Sequence, residues 1–179
     1  MSVTRISTRY AKSLIDLSIE RGELEVVHND IEYFIEATKN RDLYLMLKSP
    51  IINATKKQQA LNAVFGSKMS KTTLAFLDIC TRKGREKFLP EIAAAFNDQY
   101  NLYNKISTAT IITATPLDAA AKEQIKAKLL GSDITMDKVD ILTEVDPTII
   151  GGFVIKIGDK LYDASIAHQL EEMKKDLIN

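Results

Sequence analysis

The chain has 179 residues, 45% of them apolar, and its 24 Lys and Arg are balanced by 24 Asp and Glu. That length suits one or two domains with a real core. Zero net charge speaks against coating nucleic acid or electrostatic capture by an anionic membrane, and seven Gly and four Pro are too few for a disordered chain.

From the first residues to Asn104 the pattern is helical, with apolar side chains recurring at three- and four-residue steps. Ile6, Tyr10, Leu14 and Leu17 mark a first helix; Val27, Ile31, Phe34 and Ile35 a second; Leu43 and Leu47 a short third. Ser49-Pro50 breaks the chain, because the residue before a proline is pushed out of the helical region. Leu61, Val64 and Phe65 carry a fourth helix to Gly66. Ser70 is placed to cap a fifth, with Leu74, Leu77 and Cys80, that ends at Gly84. A sixth opens at Leu89-Pro90 and runs through Ile92, Phe96, Tyr100 and Tyr103.

At Lys105 the pattern changes. Ile106 to Ala114 is rich in β-branched residues and reads as a strand. Thr115, Pro116 and Asp118 read as a helix start with Thr115 as cap, and that helix carries Leu117, Ala121, Ile125 and Leu129 to a stop at Gly131. Val139, Ile141, Thr143 and Val145 alternate as a second strand, and Phe153, Ile155 and Ile157 alternate in a third. Gly158-Asp159 fits a two-residue turn into a short fourth strand, Leu161 to Asp163. Ser165 then caps a terminal helix with Ile166, Leu170 and Met173. The expected fold class is α + α/β: an N-terminal six-helix bundle over residues 1–104, then a small α/β domain over 105–179.

Equipment for chemistry is sparse. His28 and His168 stand in different domains, and neither has a second His or Cys at ligand spacing, so no metal or cofactor site is expected. Cys80, the one cysteine, sits among apolar residues as an inert thiol and implies a reducing compartment. Gly151-Gly152 lacks the rest of a nucleotide loop and fits a close backbone approach instead. No catalytic residue stands out. Arg82, Lys83, Arg85 and Lys87 gather at the end of the fifth helix, as favourable charge at a helix C-terminus or as a contact for an acidic partner. The longest apolar runs fall far short of the roughly 20 residues that span a bilayer. The basic, hydroxyl-rich start resembles a transit peptide, but Asp16 and Glu20 continue its helical pattern and favour a folded helix.

The informative feature is excess apolar surface. On a helical wheel the apolar residues of the first helix spread over roughly 220°, where a core-facing helix needs a stripe of about 100°. The fifth helix has one apolar side with Leu74, Leu77 and Cys80 and another with Thr72, Ala75, Phe76 and Ile79. Either both helices are buried nearly all round, or their second faces line a groove for a partner's amphipathic helix.

Arg9-Tyr10-Ala11-Lys12-Ser13-Leu14, Lys83-Gly84-Arg85, Asp146-Pro147-Thr148-Ile149-Ile150-Gly151-Gly152-Phe153, Ile157-Gly158-Asp159 and Asp163-Ala164-Ser165-Ile166 together resemble the delta subunit of F-type ATP synthases, the oligomycin-sensitivity-conferring protein family. The resemblance covers the whole chain and is most specific from Asp146 to Ile166. It implies a non-catalytic stator subunit, one copy per complex, that joins the catalytic head to the peripheral stalk. It implies that the N-terminal domain receives the N-terminal helix of an alpha subunit between the first and fifth helices, on Tyr10, Ser13, Leu14, Leu17, Thr72, Ala75, Phe76, Ile79 and Lys83. The C-terminal domain would meet the C-terminal end of the b subunit, with Gly151, Gly152, Asp163 and Ser165 shaping that domain. The implied location is peripheral, without membrane insertion, on the cytoplasmic face of a bacterial inner membrane, or the matrix or stroma side in an organelle. A start directly on the first helix favours the bacterial case. The alternative from another class is a helical RNA-binding antitermination-type factor, reading RNA through Arg5, Arg9 and Lys12 or the Arg82–Lys87 cluster; zero net charge speaks against it.

Overall fold

A computed structural model describes residues 3–130, 138–158 and 160–178. The chain divides into two compact units, residues 1–100 and 101–179. The division falls within the last turn of a helix, just before the change of pattern at Lys105.

Six α-helices precede the first strand: α1 (Val3–Glu20), α2 (Leu24–Thr38), α3 (Arg41–Lys48), α4 (Ala54–Phe65), α5 (Lys71–Arg82) and α6 (Leu89–Tyr103), with a 3-10 turn at Glu86–Phe88. Their starts follow the caps. Asn40 accepts from the amide of Asp42, Asn53 from that of Lys56, and Ser70 from that of Thr73. At the end of α5, Gly84 adopts φ +64°, and the amide of Arg85 returns to the carbonyl of Cys80 at 2.8 Å. Phe34, Phe65, Phe96, Ile31, Leu47 and Ile92 are fully enclosed and form the core of this unit. The rings of Phe34 and Phe65 lie 5.5 Å apart.

Two polar contacts fix helix positions inside this core. The carboxylate of Asp30 on α2 accepts from the amide of Ser70 at 2.9 Å and from the hydroxyl of Thr73 at 2.7 Å, so it sits on the N-terminal turn of α5. Lys57 on α4 is only 2% exposed; it donates to the carbonyl of Leu47 and to Glu86, both at 2.9 Å, tying α3, α4 and the 3-10 turn together.

The second unit holds a four-stranded mixed sheet, order β2-β1-β3-β4: β1 (Ile106–Thr113), β2 (Lys138–Val145), β3 (Gly152–Ile157) and β4 (Lys160–Ser165). β1 pairs with β2 in parallel and with β3 antiparallel, and β3 pairs antiparallel with β4. Helix α7 (Ala119–Leu130) links β1 to β2, and α8 (Ile166–Ile178) follows β4. Lys105, at φ +54°, makes the turn out of α6.

The start of α7 and the bounds of the fourth strand are corrected here, and burial that periodicity left unassigned is added. Asp118 caps α7, accepting from the amide of Ala121 at 2.7 Å; Thr115 and Leu117 lie before the helix, and the carbonyl of Thr115 accepts from Thr113. On β3 the buried residue is Val154, while Phe153 is exposed. The fourth strand is longer than Leu161 to Asp163 at both ends. Ile166, Leu170 and Met173 on α8 are exposed. The expected stop at Gly131 and the Asp159 half of the turn lie outside the described residues.

The entry to β3 is tight. Gly152 has φ +75°, and a Cβ built there falls 2.3 Å from the carbonyl oxygen of Ala164 on β4. At Gly151 a Cβ would meet Cδ1 of Ile166 at 2.7 Å.

Asp30→Ala is expected to destabilise the first unit by about 2–3 kcal/mol, because it removes two bonds to a charged acceptor and strands the amide of Ser70. Denaturant titration by circular dichroism measures this, and a loss below about 0.5 kcal/mol contradicts it. Gly152→Asp is expected to cost the second unit about 3 kcal/mol or more through its left-handed backbone and the collision with β4. Unchanged amide exchange across β3 and β4 contradicts that.

Candidate partner-binding groove

α1 buries Ile6, Ser7, Ala11, Leu14, Ile15 and Ser18 along one side. The two buried serines cause no deficit: Ser7 donates to the carbonyl of Val3 at 3.1 Å and Ser18 to that of Leu14 at 2.6 Å. On the wheel, Tyr10, Ser13 and Leu17 lie at the edge of that buried arc. Tyr10 and Leu17 are half-buried and Ser13 is exposed. Ser13 donates its hydroxyl to the carbonyl of Arg9 at 3.0 Å, so its donor is used within the helix.

α5 turns Thr72, Thr73, Phe76, Leu77, Cys80 and Thr81 inward. Its exposed edge holds Ala75, Ile79 and Lys83, with Ile79 52% exposed. The two edges are brought together by an edge-on contact of Tyr10 with Phe76, ring centres 6.5 Å apart. One end is closed by a polar relay: Arg21 donates to the Thr72 hydroxyl at 3.1 Å, and Thr72 donates to Glu23 at 2.6 Å. The nine sequence-derived groove residues therefore divide in two. Leu14, Thr72 and Phe76 are buried within the unit; Tyr10, Ser13, Leu17, Ala75, Ile79 and Lys83 retain exposure along its surface.

Gly151, Gly152, Asp163 and Ser165 gather at one corner of the second unit. Asp163 accepts from the amide of Ser165 at 2.8 Å, Ser165 accepts from that of His168 at 3.2 Å, and the amide of Ile166 donates to Gly151 at 3.0 Å. The bonds from Ser165 hold the Asp163 carboxyl below its usual range. Ile150, just before, is a non-glycine residue at φ +68°. Beyond the corner the surface is apolar: Ile166, Leu170 and Met173 form a helical stripe on α8, with Met173 60% exposed, and Phe153 leans on the exposed Tyr162 at 6.2 Å.

The groups most able to react stand apart. Cys80 is enclosed in α5 and burial pushes its thiol up to about 12, so it holds its proton at neutral pH. His28 stacks on Tyr100 with ring centres 3.7 Å apart, and Tyr100 donates to Glu25 at 2.9 Å. Among the described residues no three His, Cys, Asp or Glu side chains are placed to hold a metal ion, and no helix is long and apolar enough to cross a membrane. Asp30, Arg21, Glu23 and Lys57 escaped the sequence reading, because their partners lie between 10 and 51 residues away.

Residues 6–177 match the model of the ATP synthase delta (OSCP) subunit family. The ATP synthase subunit delta of Flavobacterium johnsoniae is 33% identical over the full length of both chains, and that of Cytophaga hutchinsonii is 34% identical over 97% of this chain and 94% of its own. A chain in the cryo-EM structure of the Toxoplasma gondii mitochondrial ATP synthase hexamer superposes with a TM-score of 0.77 over 97% of both chains, at 20% identity, and so shares the fold. Nothing in these likenesses supports the RNA-binding alternative. With its two-part architecture and full-length match, the chain belongs to the ATP synthase delta (OSCP) subunit family.

Proposed function

We propose that this chain is the non-catalytic stator subunit that joins the catalytic head of an F-type ATP synthase to its peripheral stalk, so that the head resists rotor torque during proton-driven synthesis. Residues 1–104 act as a six-helix bundle whose α1–α5 groove receives the N-terminal helix of an alpha subunit. Leu14, Thr72 and Phe76 form its floor, and Tyr10, Ser13, Leu17, Ala75, Ile79 and Lys83 are the surface the guest meets. Residues 105–179 meet the C-terminal end of the b subunit on the apolar surface beside the Gly151–Ser165 corner. The subunit works peripherally on the cytoplasmic face of the inner membrane of a bacterium, as the bacterial relatives suggest.

The observation that carries this reading is Ile79. A large aliphatic side chain is left half in water beside the ring contact of Tyr10 with Phe76, on a helix whose opposite side is fully packed. An apolar helix laid there would withdraw the exposed half of Ile79 from water, worth about 1 kcal/mol, roughly half of what burying the whole side chain gives. A contact of that kind suits a tether under torque, because salt screens it far less than an exposed ion pair.

Ile79→Asp is expected to leave the fold intact, since the side chain is exposed, and to weaken binding of an alpha-subunit N-terminal peptide about 100-fold or more, equivalent to roughly 2.7 kcal/mol. Calorimetric titration beside a thermal melt checks both halves. Unchanged affinity with an unchanged melt contradicts the reading.

A further inference from the structure

The rim of the α1–α5 groove carries charge of opposite sign at its two ends. Arg21, one residue beyond α1, bonds Thr72 in the first turn of α5, while Tyr10 in mid-α1 meets Phe76 one turn further along α5. The two helices therefore run in opposite directions, and the C-terminal end of α5 lies toward the N-terminal half of α1. The 3-10 turn at Glu86–Phe88, which follows α5, also packs against α1.

At that end stand Arg5, Arg9 and Lys83, all exposed and, among the described residues, without an ion-pair partner. Among the neighbouring charges, Arg82 pairs with Asp78 at 2.6 Å, Glu86 pairs with Lys57, and Lys87 lies over the ring of Phe88, while half-buried Arg85 has no ion-pair partner among the described residues and adds to the positive end. At the opposite end stand Asp16 and Glu20, exposed and likewise unpaired among the described residues, with Lys71 as a cation beside them; Lys12, also exposed and without an ion-pair partner among the described residues, stands midway along α1 between the two ends. Arg21 and Glu23 cancel through Thr72. The rim is thus positive at one end and weakly negative at the other, on either side of the apolar strip of Ala75 and Ile79.

We infer that this polarity sets the direction in which a guest helix lies: the groove takes an amphipathic helix with its acidic residues toward Arg5, Arg9 and Lys83 and its basic residues toward Asp16 and Glu20. Apolar contact alone has no such preference, since a stripe of side chains fits nearly as well reversed. A guest's macrodipole carries only about half a charge at each end, so two or three full side-chain charges outweigh it. Rim charges of this kind choose register and partner more than they add affinity. The inference rests on the groove reading above and adds its specificity.

The test uses the full chain, isotope-labelled, and two designed peptides with the same apolar stripe: one with Glu in its first half and Lys in its second, the other reversed. Each carries a nitroxide at its acidic end and is titrated at low ionic strength, where exposed charges are least screened. The expected result is loss of amide signal around Arg9 and Lys83 with both peptides. In the quadruple variant Arg9→Glu, Asp16→Lys, Glu20→Lys, Lys83→Glu, all at exposed positions, the loss moves to the amides around Leu17 and Thr72. Signal loss that stays at one end whatever the charges, or that falls equally on both ends, overturns the inference and leaves the groove standing. Failure of both peptides to shift any amide of α1 or α5 removes the groove itself, and the inference with it.

Discussion

One carboxylate decides where α5 stands. Asp30 on α2 grips the first turn of α5 through the amide of Ser70 and the hydroxyl of Thr73, and the serine hydroxyl in turn caps that turn. A negative group at a helix N-terminus is favoured by the helix dipole, and a buried one must keep its donors or lose heavily. With the start of α5 fixed, Phe76, Leu77 and Cys80 have to point into the core. Ala75 and Ile79 are then left outside beside Tyr10 and Leu17. The apolar edge on which the proposed function rests is a consequence of that clasp rather than a separate construction.

The same economy runs through the rest of the first unit. Lys57 is taken out of water to join the end of α3, the body of α4 and the turn before α6. A buried pair of this kind stabilises little against an apolar substitute, because both ions give up hydration. Its geometry, however, admits one arrangement of three chain segments. In the second unit the equivalent constraint is backbone proximity at Gly152, where β3 enters so close to Ala164 that a side chain has no room. The outward stripe of Ile166, Leu170 and Met173 starts one residue beyond Ser165 at this corner. The proposed task of holding two partners would need such rigid seats. Cys80 is sealed in a helix and His28 is stacked on Tyr100.

Much of the fold was legible in the residues themselves. Ser70 capping α5, Gly84 ending it and Ser165 starting α8 are local events with local signals. So was the surplus apolar edge of α1 and α5, since a wheel shows it without knowledge of neighbours. What stayed hidden depends on distant partners. Asp30 reads as one more acid on a charged helix until Thr73 is brought to it. Lys57 looks like a solvated cation in a polar run. Val154, on the face of β3 opposite Phe153, Ile155 and Ile157, is its most buried residue, and alternation alone does not tell which of two faces is covered. Thr115 and Asp118 both suit a cap, and only the backbone path after Pro116 selects Asp118.

The central claim is that the edge of α5 exists to be covered by another chain. A photoreactive amino acid placed at Ile79, activated in the intact enzyme on its membrane, tests this most directly. Mass spectrometry of the product is predicted to find the bond to the N-terminal segment of an alpha subunit. A bond only within this chain, or to a subunit of the stalk, would contradict the account.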